Sequence, residues 1–320
     1  MPTNVLIVCP DPEAYASRLR PAFPDVQFTK VATMNAADAL DDYPAADAVM
    51  AMGRGLTREC LAKAERLKWF QCLITGTDHL TPVLSGSDIV LTNARGIHGP
   101  QMAETAILHM MAVSRNVRQM VSNQLDHVFE RIKPKALDRR TVVILGVGAI
   151  AEHTAKLCKA FGMTTVGVSR TPRAVAGFDR IFPRGKLLEA AALADYLLVL
   201  LPYTPENDKA VGEAVFRAMK PTAFLINISR GGVVDEAAMI EALDDKRIAG
   251  AGLDVFAGHH QLPPSSPLWD RKDIFITPFI GGQSDQYEEN AMAILQPNLR
   301  CFLAGDFAGM INRVPLPGPG

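Results

Sequence analysis

The chain has 320 residues, 48% of them hydrophobic and 21% charged, a balance that marks a folded globular protein and excludes long disorder. Its 33 basic and 34 acidic side chains leave a formal net charge of −1, so the overall charge favours neither nucleic acid nor an anionic membrane, and a small molecule is the expected partner. The length suits two domains of ordinary size, and no stretch approaches the ~20 apolar residues of a membrane span.

Cysteines at 9, 60, 72, 158 and 301 are scattered and odd in number, without a CxxC pair. They read as thiols of a reducing cytoplasm, not as a disulfide framework or a metal site. The opening MPTNVLIVCPDP has no basic region and its apolar run stops at Pro10, which predicts a first strand over 5–9 and no signal peptide. Further strands are expected at 48–51, 70–74 and 89–92, each bounded by Gly, Pro, Asp or Asn. The segment MAETAILHMMAVSRNV (102–117) is apolar around nearly its whole circumference. That pattern predicts a buried helix at a domain junction, suited also to a dimer interface.

From Thr141 the punctuation is plainer. TVVIL predicts a strand covered on both faces, followed by a glycine turn, an amphipathic helix to about Phe161 and a strand at 164–168. Strands at 196–201, 224–228, 251–255 and 274–277, with helices between most of them, imply parallel order and right-handed crossovers. Residues 286–303 should form a helix that returns to the first domain, and the tail PLPGPG is expected to lack structure.

Between strand and helix lies Gly146-Val147-Gly148-Ala149-Ile150-Ala151. In this setting the spacing predicts a dinucleotide cradle: Gly146 for the tight turn, Gly148 for close approach of a pyrophosphate, and Ala151 for tight helix packing. The amino end of the helix at Ala149 and Ile150 supplies donors and positive potential. An NAD site usually ends its second strand with an acid for the ribose hydroxyls. Here the strand ends in Ser169-Arg170-Thr171-Pro172-Arg173 and the first acid is Asp179. Hydroxyls and guanidiniums suit a 2′-phosphate, so NADP is the expected cofactor, with NAD as the alternative.

Several segments together resemble the D-2-hydroxyacid dehydrogenase family, in particular its glyoxylate and hydroxypyruvate reductase branch: LKWFQCLITGTDHL (67–80), LTNARGIHGPQMAE (91–104), LGVGAIA (145–151), SRTPR (169–173), INISRGGVVDE (226–236), AGLDVF (251–256) and ITPFIGGQSD (276–285). The resemblance implies an α/β fold in which a doubly wound parallel-sheet (Rossmann) domain, residues 101–286, is inserted into a flavodoxin-like substrate domain made of residues 1–100 and 287–320. It also implies a homodimer and hydride exchange between a nicotinamide and a small 2-keto or 2-hydroxy acid. Arg230 matches the family's substrate arginine, and backbone N–H groups around Gly76 and Thr77 would hold the carboxylate. Asp254 matches a residue at the nicotinamide end, and Pro202 joins the cofactor set.

The match breaks at the acid/base pair. The family's catalytic histidine follows Thr-Pro, where this chain has Phe279, and the position of its glutamate partner is His259. Phenylalanine carries no titratable proton. Three readings follow: His259, His98 or His260 donates the proton; the protein binds nucleotide without efficient turnover, as a sensor or partner-binding module; or the site performs different chemistry on a related acid. His79, His109, His127 and His153 read as structural or solvated. Adjacent histidines make a poor zinc site, so no metal is expected.

Overall fold

The protein is described by a computed structural model over residues 2–258 and 261–317. Thirteen strands follow in chain order among the described residues: β1 Asn4–Cys9, β2 Gln27–Ala32, β3 Ala48–Ala51, β4 Trp69–Cys72, β5 Val90–Thr92, β6 Thr141–Leu145, β7 Thr164–Ser169, β8 Arg180–Pro183, β9 Tyr196–Val199, β10 Phe224–Asn227, β11 Gly250–Leu253, β12 Ile274–Ile276 and β13 Arg313–Val314. They divide between two compact units, one of Met1–Ile97 with Ser284–Gly320, the other of His98–Gln283.

The first unit holds a sheet in the order β13-β5-β4-β3-β1-β2, parallel throughout except for the antiparallel β13 edge. Its parallel part runs 2-1-3-4-5, the flavodoxin-like arrangement. Alternate residues of β1 feed two cores: Val5 and Ile7 pack with the final helix Tyr287–Leu303 through Leu295 and Leu299, while Leu6 and Val8 face Tyr43 and Phe70. The period of two along a strand buried on both faces is why its sequence is apolar without a break.

The second unit is a seven-stranded parallel sheet in the order β12-β11-β10-β9-β6-β7-β8, the doubly wound pattern with its switch point between β6 and β9. Val142 and Ile144 pack under the helices Gly99–Ser114 and Ala149–Ala160, and Val143 and Leu145 under the opposite layer. The helix Gly99–Ser114 buries Met102, Ala106 and Met110 as its composition requires, yet leaves Leu108 exposed.

Three strands have no counterpart in the sequence reading: β2, β8 and β13. All lie at sheet edges, where one side chain in two meets solvent and no apolar run is needed. The expectation of an unstructured tail is corrected for its first residues. Leu316 packs against the core and the Pro317 carbonyl accepts a hydrogen bond from Ser85 Oγ at 3.1 Å.

Candidate active site

The turn after β6 is held by Gly146, whose φ of +104° lies where a side chain is strained and whose added Cβ would stand 3.0 Å from the Leu200 backbone. Its N–H donates to the Val168 carbonyl at 3.0 Å, tying the turn to β7. Gly148 then caps the helix Ala149–Ala160, and a Cβ built there meets nothing within 4 Å. Open space over a helix amino end, with exposed Gly148 and Ala149 and half-buried Ile150, is what a diphosphate needs: donors without intrahelical partners and a favourable dipole. Ala151 is buried against the sheet. The residues present fit a dinucleotide.

Beside this turn is a cavity of about 270 Å³ lined by Gly146, Val168, Ser169, Arg170, Thr171 and Arg184 among others. Arg170 Nη1 reaches Glu206 Oε2 at 3.4 Å, both side chains being well exposed. Arg173 instead pairs with Glu152 at 3.2 Å and is not among the residues lining the cavity. Arg184 takes its place, anchored by Asn207 Oδ1 and by the Glu206 carbonyl at 3.3 Å. Sequence reasoning passed over Arg184 because it follows an unrecognised edge strand. Asn207 also donates to the Pro202 carbonyl at 2.8 Å, so Pro202 belongs to the loop that positions Arg184.

Further along the same sheet edge, the ends of β10, β11 and β12 carry Arg230, Asp254 and Phe279. Arg230 Nη1 donates to the Ser229 carbonyl at 2.8 Å, and Asn227 Nδ2 holds the Arg230 carbonyl at 3.1 Å. A Cβ on Gly231 would fall 1.9 Å from the Phe256 carbonyl oxygen, so only glycine lets this loop lie on the one after β11.

Asp254 is buried, and accepts from Thr277 Oγ1 at 2.5 Å and from the N–H groups of Ile280 and Gly281 at 2.9 Å each. Burial raises its pKa, and these donors work against that rise. Its carboxylate therefore fastens the loop 277–281, where Phe279 adopts φ +59° and leaves 43% of its surface exposed. A bulky residue in the left-handed region persists only when its surroundings fix it.

Two histidines stand close to these groups. His109, fully buried, lies 2.9 Å through Nε2 from Thr277 Oγ1. Since that hydroxyl gives its hydrogen to Asp254, His109 must donate, so Nε2 carries the proton. Nδ1 then faces Gly252, where a Cβ would come within 2.7 Å. Burial pushes the His109 pKa down to about 4. His98 caps the helix Gly99–Ser114, and its Cδ2 lies 3.1 Å from the position of a Cβ on Gly282. Burial first, and the Arg230 charge second, push its pKa down to about 4. His259 and His260 lie outside the described residues.

In the first unit, Gly76 and Thr77 form the turn after β4. The Thr77 carbonyl accepts from Leu80 and Thr81 N–H groups at 2.9 and 3.0 Å, opening the short helix Thr81–Leu84. His79 Nε2 meets the Met52 carbonyl at 3.0 Å, and the His153 ring packs over Gly99. Among the described residues no His, Cys, Asp and Glu side chains gather as a metal set, and no helix is long and apolar enough to cross a membrane.

Residues 107–281 match the family model described as D-isomer specific 2-hydroxyacid dehydrogenase, NAD binding domain. A D-3-phosphoglycerate dehydrogenase of Methanocaldococcus jannaschii is 28% identical over 271 residues, 83% of this chain and 51% of that protein. The chain thus spans about half the length of the curated phosphoglycerate dehydrogenases it matches. Among solved structures, a D-isomer specific 2-hydroxyacid dehydrogenase family protein from Aeromonas salmonicida subsp. salmonicida A449 aligns with TM-score 0.89 and 31% identity, over 99% of this chain and 100% of that one. An NADPH-dependent glyoxylate/hydroxypyruvate reductase of Sinorhizobium meliloti, in complex with NADP and malonate, aligns with TM-score 0.80 and 25% identity over 100% of both chains. A nucleotide cradle and an arginine-bearing loop on one parallel sheet edge, joined to these matches, make the chain a member of the D-isomer specific 2-hydroxyacid dehydrogenase family.

Proposed function

We propose that the protein is an NADP-preferring oxidoreductase that moves a hydride between the nicotinamide and a small 2-keto or 2-hydroxy acid. The observation that carries this reading is the placement of Arg230, His98 and Asp254 on the same sheet edge as the Gly146–Gly148 cradle. Two strand spacings, roughly 10 Å, separate β6 from β10. Ser169, Arg170, Thr171 and Arg184 would hold the 2′-phosphate, and the helix amino end at Gly148 the pyrophosphate. The Sinorhizobium reductase, crystallised with NADP and a small dicarboxylate, supports the same choice of cofactor and acid size. A nucleotide-binding module without turnover is the weaker reading, because it leaves Arg230 without a task.

When bound, the nicotinamide supplies or accepts the hydride. The chain's own residues do the rest. Arg230 pairs with the substrate carboxylate and polarises the carbonyl. In the free protein His98 is neutral above about pH 4. A carboxylate on Arg230 offsets the smaller of the two causes that depress its proton affinity, burial being the larger, so His98 gains proton affinity when substrate binds and is the candidate donor to the carbonyl oxygen. His259 is the alternative donor.

The deciding assay is NADPH oxidation with glyoxylate, hydroxypyruvate and phenylpyruvate at high protein concentration. Turnover that weakens as pH rises is expected. Tight NADPH binding with no turnover on any of the three would sink the reading.

The assembly assigned by this reading is a homodimer in a reducing cytoplasm, where the five cysteines stay as thiols. Its support is an exposed apolar segment, Met120, Val121, Leu125, Val128 and Phe129, the last 97% exposed, which is more apolar surface than one stretch of a monomer usually shows. Light scattering should give twice the chain mass.

A further inference from the structure

At the ends of β10, β11 and β12 an exposed aromatic ring and a buried carboxylate accompany Arg230. Phe279 offers an aromatic face, pinned by a loop that Asp254 holds. Asp254 adds a carboxylate directly beneath that loop, and His98, packed against Gly282 three residues beyond Phe279, is neutral. Among the described residues in this cluster Arg230 is the cation, and its guanidinium fork suits a substrate carboxylate, not proton transfer.

Hydride addition to a C=O bond leaves an alkoxide that must be given a proton. Addition to a protonated C=N bond does not. We propose that this site also reduces 2-imino acids, taken as the iminium, with the carboxylate on Arg230 and the C=N cation against the Phe279 ring. The proposal rests on the reading that Arg230 holds a carboxylate beside a nicotinamide.

The step balances without an acid. A reduced nicotinamide gives a hydride to C2, forming the C–H bond, and the C=N π pair moves onto nitrogen. The products are a 2-amino carboxylate with a neutral amine and an oxidised nicotinamide. The amine takes its proton from water after release. The imino acid itself forms in solution from a 2-keto acid and ammonia or a primary amine, with loss of water.

Binding supplies a readout independent of turnover. N,N-dimethylglycine and 3-methylbutanoate share shape and carboxylate and differ in a cationic nitrogen against a carbon. Calorimetry on the NADP-loaded protein should show the cation preferred about 10-fold, and Phe279→Leu, which keeps apolar bulk but removes the ring, should erase most of that preference. Equal or tighter binding of 3-methylbutanoate overturns the proposal.

Products are then compared in pyruvate, methylamine and NADPH at alkaline pH. N-methylalanine should exceed lactate by about 10-fold, and Phe279→His, which places a titratable group in the loop, should move the ratio toward lactate by a similar factor. Lactate alone overturns imine reduction and leaves the keto-acid reading standing. Neither product, with NADPH still bound, overturns both.

Discussion

The two ends of the seven-stranded sheet are built by different means. Around β6, β7 and β8 the ligand site is mostly backbone: a turn that Gly146 alone permits, a helix end opened by Gly148, and two arginines projecting over a cavity of about 270 Å³. Around β10, β11 and β12 it is side chains that hold one another, Thr277 on Asp254, Asp254 on the Phe279 loop, and His109 behind Thr277. A backbone site depends on residue types at fixed spacing. A side-chain site depends on partners that only folding brings together, here 23 and 168 residues apart in the chain.

This contrast can be broken most forcefully at Arg230. Truncating one partner of a buried charge pair costs about 2–5 kcal/mol, so Arg230→Ala should lower kcat/KM for a 2-keto acid by about 30–5,000-fold. NADPH affinity, set at the other end of the sheet, should stay unchanged. Equal losses in keto-acid turnover and NADPH binding would merge the two ends into one site, and unchanged kinetics would remove Arg230 from its role.

His109 gives the next largest effect, in stability. Its pKa is pushed by burial from the ordinary 6.5 down to about 4. Below pH 6.5 the unfolded chain gains a proton that the folded chain refuses, so the stability present above pH 6.5 is lost as pH falls toward 4. The loss amounts to about 3 kcal/mol for this one group. His109→Gln, which keeps a donor for Thr277, should flatten that part of the denaturant-midpoint profile. An unaltered acid slope would mean that His109 is not the group responsible.

The smallest effect belongs to the cofactor end. Arg184→Ala and Arg170→Ala should each weaken NADPH by about 10–150-fold, the range of a lost charge-assisted hydrogen bond, while NADH binding moves little. Fluorescence titration of both nucleotides measures the split. Equal losses for NADH and NADPH would detach the two arginines from the 2′-phosphate.

Strand after strand of the buried sheets was legible because a strand covered on both faces is apolar throughout. β10 begins where its run of Phe, Leu and Ile begins, and β6 one residue before its run of Val, Ile and Leu. The edge strands β2, β8 and β13 carry no such run, since half of their side chains face solvent. Arg170 could be read from its place after β7. Arg184 could not, because the strand that presents it is one of those edges.

From the sequence by itself followed the α/β class and the nucleotide cradle, which are matters of residue type and local spacing that the linear chain records. The insertion of one domain into another followed from the family resemblance. Only the tertiary structure decided that Arg184 and not Arg173 lines the cavity, that Asp254 is occupied by its neighbouring loop, and that His98 sits within the field of Arg230. Those depend on burial and on partners distant in the chain, and a charge or imidazole acquires its chemistry from the groups that surround it after folding.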